Sequence, residues 1–410
     1  MNSPVSNLNG NAQLAEGQPQ GCVAGSQQRA ALELAADRPH VFADAKIGTL
    51  AKARSPITPS ERALESKGKF DRSVTVREKL KQCGLQRFFD MPGITDVRVN
   101  QPGTIITESS EGWKAYPVPE CNLQILRELA NAASIFNGGT ALDEQSPIKS
   151  VRMPDGQRGQ IVIHPGCERD TVAMVFRIAS SQRFSIDDYV RTNRLKNFHD
   201  VSTFKEVPDN VHLQPFELDL LSAKNTRDMR RFFELCIEHK LNICMSGGVG
   251  SGKTTFMKAL ADLVPANTCI ITIEDTHELD LPLHWNKVHL FYGDFVTPKQ
   301  QLKNCMRMKP DRIFLTELRG DEAFDYIAAL NTGHPGSLTT AHANDPIGTF
   351  QRIATLIKQS EVGLRLDWDH IVRDVTCSLD VVCQFEHTKM TQLYFDPVRK
   401  AKMMRGDKDV

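Results

Sequence analysis

The chain has 410 residues, 40% of them hydrophobic, which is enough for two compact domains and a tail without covalent staples. Its 50 basic and 50 acidic residues cancel, so no overall positive field exists to hold DNA or RNA by counterion release, although local basic patches stay open. No run approaches the roughly 18–20 apolar residues that span a bilayer, and the start MNSPVSNLNGNAQ lacks the basic-then-apolar order of a signal peptide. The expectation is a cytoplasmic protein, free or attached to a membrane-bound partner.

Residues 1–70 are rich in Asn, Gln, Ser, Ala, Gly and Pro, with one helix-like piece from Arg29 to Ala36, and read as a disordered extension. Val76, Leu80, Leu85 and Phe88-Phe89 suit an amphipathic helix, followed by a strand over 96–99, the turn Asn100-Gln-Pro-Gly103 and a helix over 122–136. Strands over 159–164 and 171–177 complete an α+β domain at 71–196, with a helix start capped by Ser185, and 197–214 reads as a linker.

From 215 to 398 apolar strands alternate with helices, the signature of a parallel sheet wrapped by helices. Strands are expected over 241–246, 269–273, 288–291, 312–316 and 337–340, and helices over 227–239, 254–263, 299–308, 321–330 and 347–357. Residues 399–410 carry Arg399, Lys400, Lys402, Arg405 and Lys408 and read as a solvated basic tail, with anionic lipid or an acidic partner surface as the alternative. Ten cysteines occur without a CxxC pair, mostly within apolar runs such as Asn242-Ile243-Cys244-Met245. They read as buried free thiols of a reducing compartment, not as metal ligands.

Gly247-x-x-x-x-Gly252-Lys253-Thr254 is a complete phosphate-loop pattern between an apolar strand and an apolar-periodic helix. A triphosphate needs several N–H donors converging from a backbone that can approach closely, which Gly247, Gly248, Gly250 and Gly252 permit around Val249 and Ser251. Lys253 is expected on the β and γ phosphates of ATP and the Thr254 hydroxyl on Mg²⁺, with Thr255 beside it. Glu274-Asp275 ends one strand and Glu317-Leu318-Arg319 another, so two carboxylates lie at the carboxyl edge of the sheet, where ligands bind. Either can serve the metal or the attacking water. His334 and His342 flank one short strand, and one end at most faces the phosphate. Arg307 and Arg319 are candidates to neutralise charge on the phosphate of the same or a neighbouring subunit, and Arg152, Arg158 and Arg177 compete for the same job.

GGVGSGKTT, ITIEDTHEL, RIFLTELRG and TGHPGSLTTAHAN, in that order, resemble the secretion ATPase superfamily and, within it, the traffic ATPases of bacterial type IV secretion systems. The resemblance covers about residues 74–398, helped by VNQPG at 99–103, CMRMKPDRI at 305–313 and YFDP at 394–397, and the chain lacks the paired CxxC of type II and pilus-assembly relatives. It implies a RecA-like P-loop domain, a homohexameric ring, nucleotide between the two domains, and ATP-driven domain motion that powers secretion. Gly252, Lys253, Thr254 and Thr255 match the family's phosphate loop, Glu274 and Asp275 its acidic box, Glu317 and Arg319 its atypical Walker B strand, and His334 and His342 its histidine box. Glu274 is favoured for the water and Glu317 for the metal side, with the roles exchangeable. Implied partners are inner-membrane components and other ATPases of the system and a secreted protein or nucleoprotein, with the chain peripheral at the cytoplasmic face of the inner membrane. A nucleotide-locked assembly scaffold and a DNA translocase are the alternatives.

Overall fold

The computed structural model describes residues 71–407 except 110, 179–182 and 294. The extension expected at 1–70 lies outside the described residues. The amphipathic stretch that follows forms two helices, α1 (Val74–Gln82) and α2 (Gln86–Phe89). The break falls at Gly84, whose φ of +73° is open to glycine but strained for other residues.

A six-stranded antiparallel sheet follows, built from β1 (Ile94–Val99), β2 (Thr104–Ser109), β3 (Gly112–Pro117), β4 (Ile148–Arg152), β5 (Arg158–Ile163) and β6 (Val172–Arg177) in the order β3-β2-β1-β6-β5-β4. Helix α3 (Leu123–Phe136) starts where Asn122 accepts the Ile125 amide, and buries Leu126, Leu129 and Ala133. These residues share a core with Val97, Ile161 and Phe176 of the sheet. Helix α4 (Ile186–Arg191) begins in a reciprocal capping box between Ser185 and Asp188.

The second sheet has eight strands: β7 (His199–Asp200), β8 (Ile243–Gly247), β9 (Ile270–Glu274), β10 (Lys287–Phe291), β11 (Arg312–Leu315), β12 (Leu338–Ala341), β13 (Val381–Glu386) and β14 (Lys389–Phe395). Their order is β10-β9-β11-β12-β8-β13-β14-β7, parallel from β10 to β13. Every residue of β8, β9, β11 and β12 is buried, as strands covered on both faces require. The cover comes from α5 (Pro215–Thr226), α6 (Met229–Glu238), α7 (Lys253–Ala261), α8 (Pro298–Arg307), α9 (Glu322–Asn331), α10 (Pro346–Lys358), α11 (Trp368–Ser378) and α12 (Pro397–Arg405). All nine described cysteines are free, and six of them are buried.

Two expectations need correction here. The stretch 197–214 is not a plain linker, because β7 pairs in parallel with β14 and the fully buried Lys224 ammonium joins Asp200, Ser202 and the Phe395 carbonyl. The basic end is not a solvated tail through 405. Asp396 caps α12 by accepting the Arg399 amide, Pro397 occupies its first turn, Val398 is buried, and Lys400 reaches Asp380 at 2.5 Å.

Candidate functional site

The glycine-rich loop leaves the carboxyl end of β8 and enters α7. Gly247 (φ +145°) lies so close to β13 that an added Cβ would stand 2.3 Å from the Phe385 carbonyl oxygen. Gly250 and Gly252 have φ of +71° and +95°, left-handed conformations that let the loop curl around its own amides. Gly252 caps α7 without a side chain, so the first-turn N–H groups keep their positive end free for an anion. The turn between β13 and β14, with His387 and Thr388 both left-handed, props the loop from behind, and the Thr388 amide donates to the Ser251 carbonyl at 3.1 Å.

Lys253 is 8% exposed and its ammonium donates to the carbonyls of Gly247 (2.8 Å) and Gly248 (2.7 Å). Burial holds its pKa below the ordinary value of 10.5, against the pull of the Glu317 carboxylate. Glu317 accepts from Arg319 at 2.6 Å and lies 3.1 Å from His342 Nε2. Burial pushes its carboxyl up, but the Arg319 hydrogen bond and the charges of Arg319 and Lys253 outweigh burial and hold it below the ordinary 4.5. His342 is pulled below 6.5 by burial and by Lys253, so it stays neutral near neutral pH. The half-buried Thr254 and Thr255 begin α7, and the Thr254 hydroxyl makes no hydrogen bond to any described residue.

The first domain brings arginines to the same edge. Pairing of β4, β5 and β6 sets Arg152 opposite Arg158 and Arg158 opposite Arg177. Directly opposed residues share a face, and three like charges in a row repel. Carboxylates offset two of them, Arg158 bonding the Asp275 carboxylate and lying 3.5 Å from Glu278 and Arg177 lying 3.7 Å from Asp96, while Arg152 donates to the backbone carbonyl of Asp275 at 2.6 Å. Arg319 reaches Asp275 from the second domain at 3.3 Å. Arg177 is also near enough to help depress the Lys253 pKa.

Glu274 is fully buried. One oxygen accepts the amides of Glu278 (2.9 Å) and Leu279 (2.8 Å), and the other accepts the Thr272 hydroxyl at 2.8 Å. It holds the turn after β9 in shape, and the carboxylates of that turn that face the arginines are Asp275 and Glu278. The sequence reading gave no role to Glu278, although it sits in the same ITIEDTHEL string.

Two expected catalytic residues lie away from the phosphate loop of their own subunit. Arg307 ends α8, exposed, just before β11, and His334 lies in the turn that enters β12. Both precede a parallel strand and so fall at the amino edge of the sheet, whereas the loop, Glu317 and His342 follow strands and fall at the carboxyl edge.

The family model described as "Type II/IV secretion system protein" matches residues 208–391. The type IV secretion system protein VirB11 of Brucella suis is 35% identical over 359 residues, covering 84% of this chain and 95% of that protein. The type IV secretion system protein PtlH of Bordetella pertussis is 30% identical over 323 residues, covering 77% and 91%. The crystal structure of the pilus retraction motor PilT with bound ADP covers 79% of this chain and 87% of its own at a TM-score of 0.50 and 16% identity, a likeness of fold alone. With a third of its residues shared across nearly the full length of the Brucella relative, the chain belongs to the VirB11 family of type IV secretion ATPases.

Proposed function

We propose that the chain hydrolyses ATP in the presence of Mg²⁺ as a homohexamer, peripheral at the cytoplasmic face of the inner membrane, and that its turnover drives assembly of, or transport through, a type IV secretion system. The observation that carries this reading is the convergence on one sheet edge of the phosphate loop, the Glu317–His342 pair and a row of three arginines from the other domain. Inner-membrane components, further ATPases of the system and a secreted protein or nucleoprotein are the partners that fit such a motor.

Loop amides from Gly247 to Thr255 and the α7 terminus would cradle the phosphates, and Lys253 would exchange the Gly247 and Gly248 carbonyls for phosphate oxygens. The unpartnered Thr254 hydroxyl and the Glu317 carboxylate are hard oxygen donors of the kind Mg²⁺ takes. Mg²⁺, when bound, neutralises phosphate charge. His342 would hold Glu317 and sense the γ phosphate. Arg158 and Arg177 now serve carboxylates, and a triphosphate would compete for the same guanidinium groups. Such competition exchanges bonds between the domains and so links phosphate charge to domain position. Glu274 keeps the acidic turn in place, and Glu278 is the carboxylate of that turn available to orient water.

Steady-state phosphate release, measured against protein concentration with Mg²⁺ or a chelator, tests the reading. Glu278→Gln and Glu317→Gln should each lower turnover by ~10² or more while nucleotide still binds, as expected for groups that act by position. Assembly driven by ATP with no phosphate released by the wild type would favour the scaffold instead.

A further inference from the structure

Beside the nucleotide edge, β9 and β10 gather a second set of donors that ATP chemistry does not use. Their parallel register sets His289 against Thr272 and Phe291 against Glu274. Glu274 Oε1 lies 3.4 Å from His289 Nδ1 and 3.6 Å from His277 Nδ1, and the two rings meet edge to face with centroids 4.5 Å apart. One ligand atom from each of the three residues falls within 4.8 Å of the others. Ligands about 2.0–2.1 Å from a tetrahedral ion are separated by about 3.4 Å, so the two Glu274 distances are edges of such a polyhedron before any ion draws them in.

We propose that Glu274, His277 and His289 form a binding site for one divalent transition-metal ion of the zinc class. Two imidazoles and one carboxylate suit Zn²⁺, Co²⁺ or Ni²⁺, whereas Mg²⁺ prefers six oxygens in a near-ideal octahedron. The support around the carboxylate is already built: Thr272 donates to Glu274 Oε1 at 2.8 Å and two backbone amides hold the other oxygen, while His289 Nδ1, 2.8 Å from Thr272 Oγ1, exchanges that contact for the ion. Outer-shell bonds of this kind fix ligand orientation and raise affinity. Glu274 is fully buried on a central strand, while His277 is 47% exposed and leaves a path for the ion and for a fourth ligand from water. His277 sits between Thr276, which Arg152 approaches at 3.4 Å, and Glu278, which faces Arg158. An ion here ties β10 to the acidic turn and fixes the turn against the arginines.

Cobalt titration of the full chain without nucleotide, followed by visible absorption, tests the proposal. The expected result is one Co²⁺ per chain with intense d–d bands of a four-coordinate nitrogen and oxygen site, no thiolate charge-transfer band, displacement by Zn²⁺, and no displacement by excess Mg²⁺. His289→Ala and His277→Ala should each weaken binding by more than ~10–100-fold, the loss that outer-shell changes alone produce. Thr254→Ala should leave the bands unchanged, which separates this site from the phosphate loop. His277 is exposed enough that its variant folds even where His289→Ala does not. Absent bands, bands that survive both histidine variants, or bands of cysteine character would overturn the assignment.

Discussion

Lys253→Ala should separate the chemistry of the phosphate loop from its stability. The ammonium makes two charged hydrogen bonds, to the Gly247 and Gly248 carbonyls at 2.8 and 2.7 Å, each worth roughly 1.5–3 kcal/mol when made. Opposing them is the loss of hydration at 8% exposure, and the depressed pKa says that burial is the larger effect. The sign follows from linkage. A lysine whose folded pKa lies below 10.5 costs the fold stability at neutral pH, and that cost fades as pH rises toward 10.5. Removing the charge should therefore leave the nucleotide-free protein within about 1 kcal/mol of wild type, a melting shift of no more than about 2–4 °C. Turnover should fall by at least ~10²–10³, the cost of one preorganised electrostatic donor. The thermal gain from ATP, about 2.7 kcal/mol at a hundredfold excess over Kd, should disappear with it. Melting curves with and without nucleotide, beside phosphate release, read all three. A nucleotide-free variant that melts more than ~5 °C lower, or one that keeps turnover within about threefold, would refute the reasoning.

Gly247→Ala puts a methyl 2.3 Å from the Phe385 oxygen and 2.7 Å from Ser251 Oγ, at a φ of +145°. Overpacking and backbone strain, roughly 1–3 kcal/mol each, should destabilise the chain by about 2–6 kcal/mol and abolish nucleotide binding. Gly248→Ala, with nothing within 4 Å of its Cβ, should be close to neutral in the same urea titration, and equal losses in the two would sink the packing argument. Burial pushes the Glu274 carboxyl up, but its hydrogen bonds from His289, Thr272 and two amides hold it below 4.5. A carboxylate depressed in the fold contributes stability above its ordinary pKa that is lost as pH falls through the folded value. Stability against urea should therefore drop less steeply below pH 4.5 in Glu274→Gln than in wild type, and parallel curves would remove Glu274 from the acid response.

Much of the second domain was legible because its chemistry and its burial both constrain residue type. A strand covered on both faces must be a run of apolar residues, and ICMSG, IITIE, RIFL and LTTA were all found within two residues of their observed ends. The first domain was harder. β3 reads GWKAYP and buries none of its residues, and β4 buries only Val151, so both edge strands lack an alternating apolar pattern. α12 carried its signals in full, Asp396 as cap and Pro397 in the first turn, but its cluster of lysine and arginine hid the buried Pro397 and Val398 that dock it. The arginine row depends on strand register: Arg152, Arg158 and Arg177 become neighbours only when β4, β5 and β6 pair, and sequence spacing of 6 and 19 residues says nothing of that.

The misplaced residues teach a different lesson, since the rule that would have sorted them needs no coordinates. In a parallel sheet the ligand edge is the carboxyl edge, so a residue that follows a strand can reach the ligand of its own subunit and a residue that precedes one cannot. Glu317 and His342 follow β11 and β12, whereas Arg307 and His334 precede the same two strands. The strand ends already put Glu317 at that edge and let only one of His334 and His342 face the phosphate, whereas Arg307 stood as one of five competing arginines with no edge assigned. Glu274 marks the limit of the rule: it ends β9 at the correct edge, yet its side chain turns inward to accept Thr272 and the amides of 278 and 279. Strand position fixes which edge a residue reaches, and only the local hydrogen bonds decide whether its side chain is left free to act there.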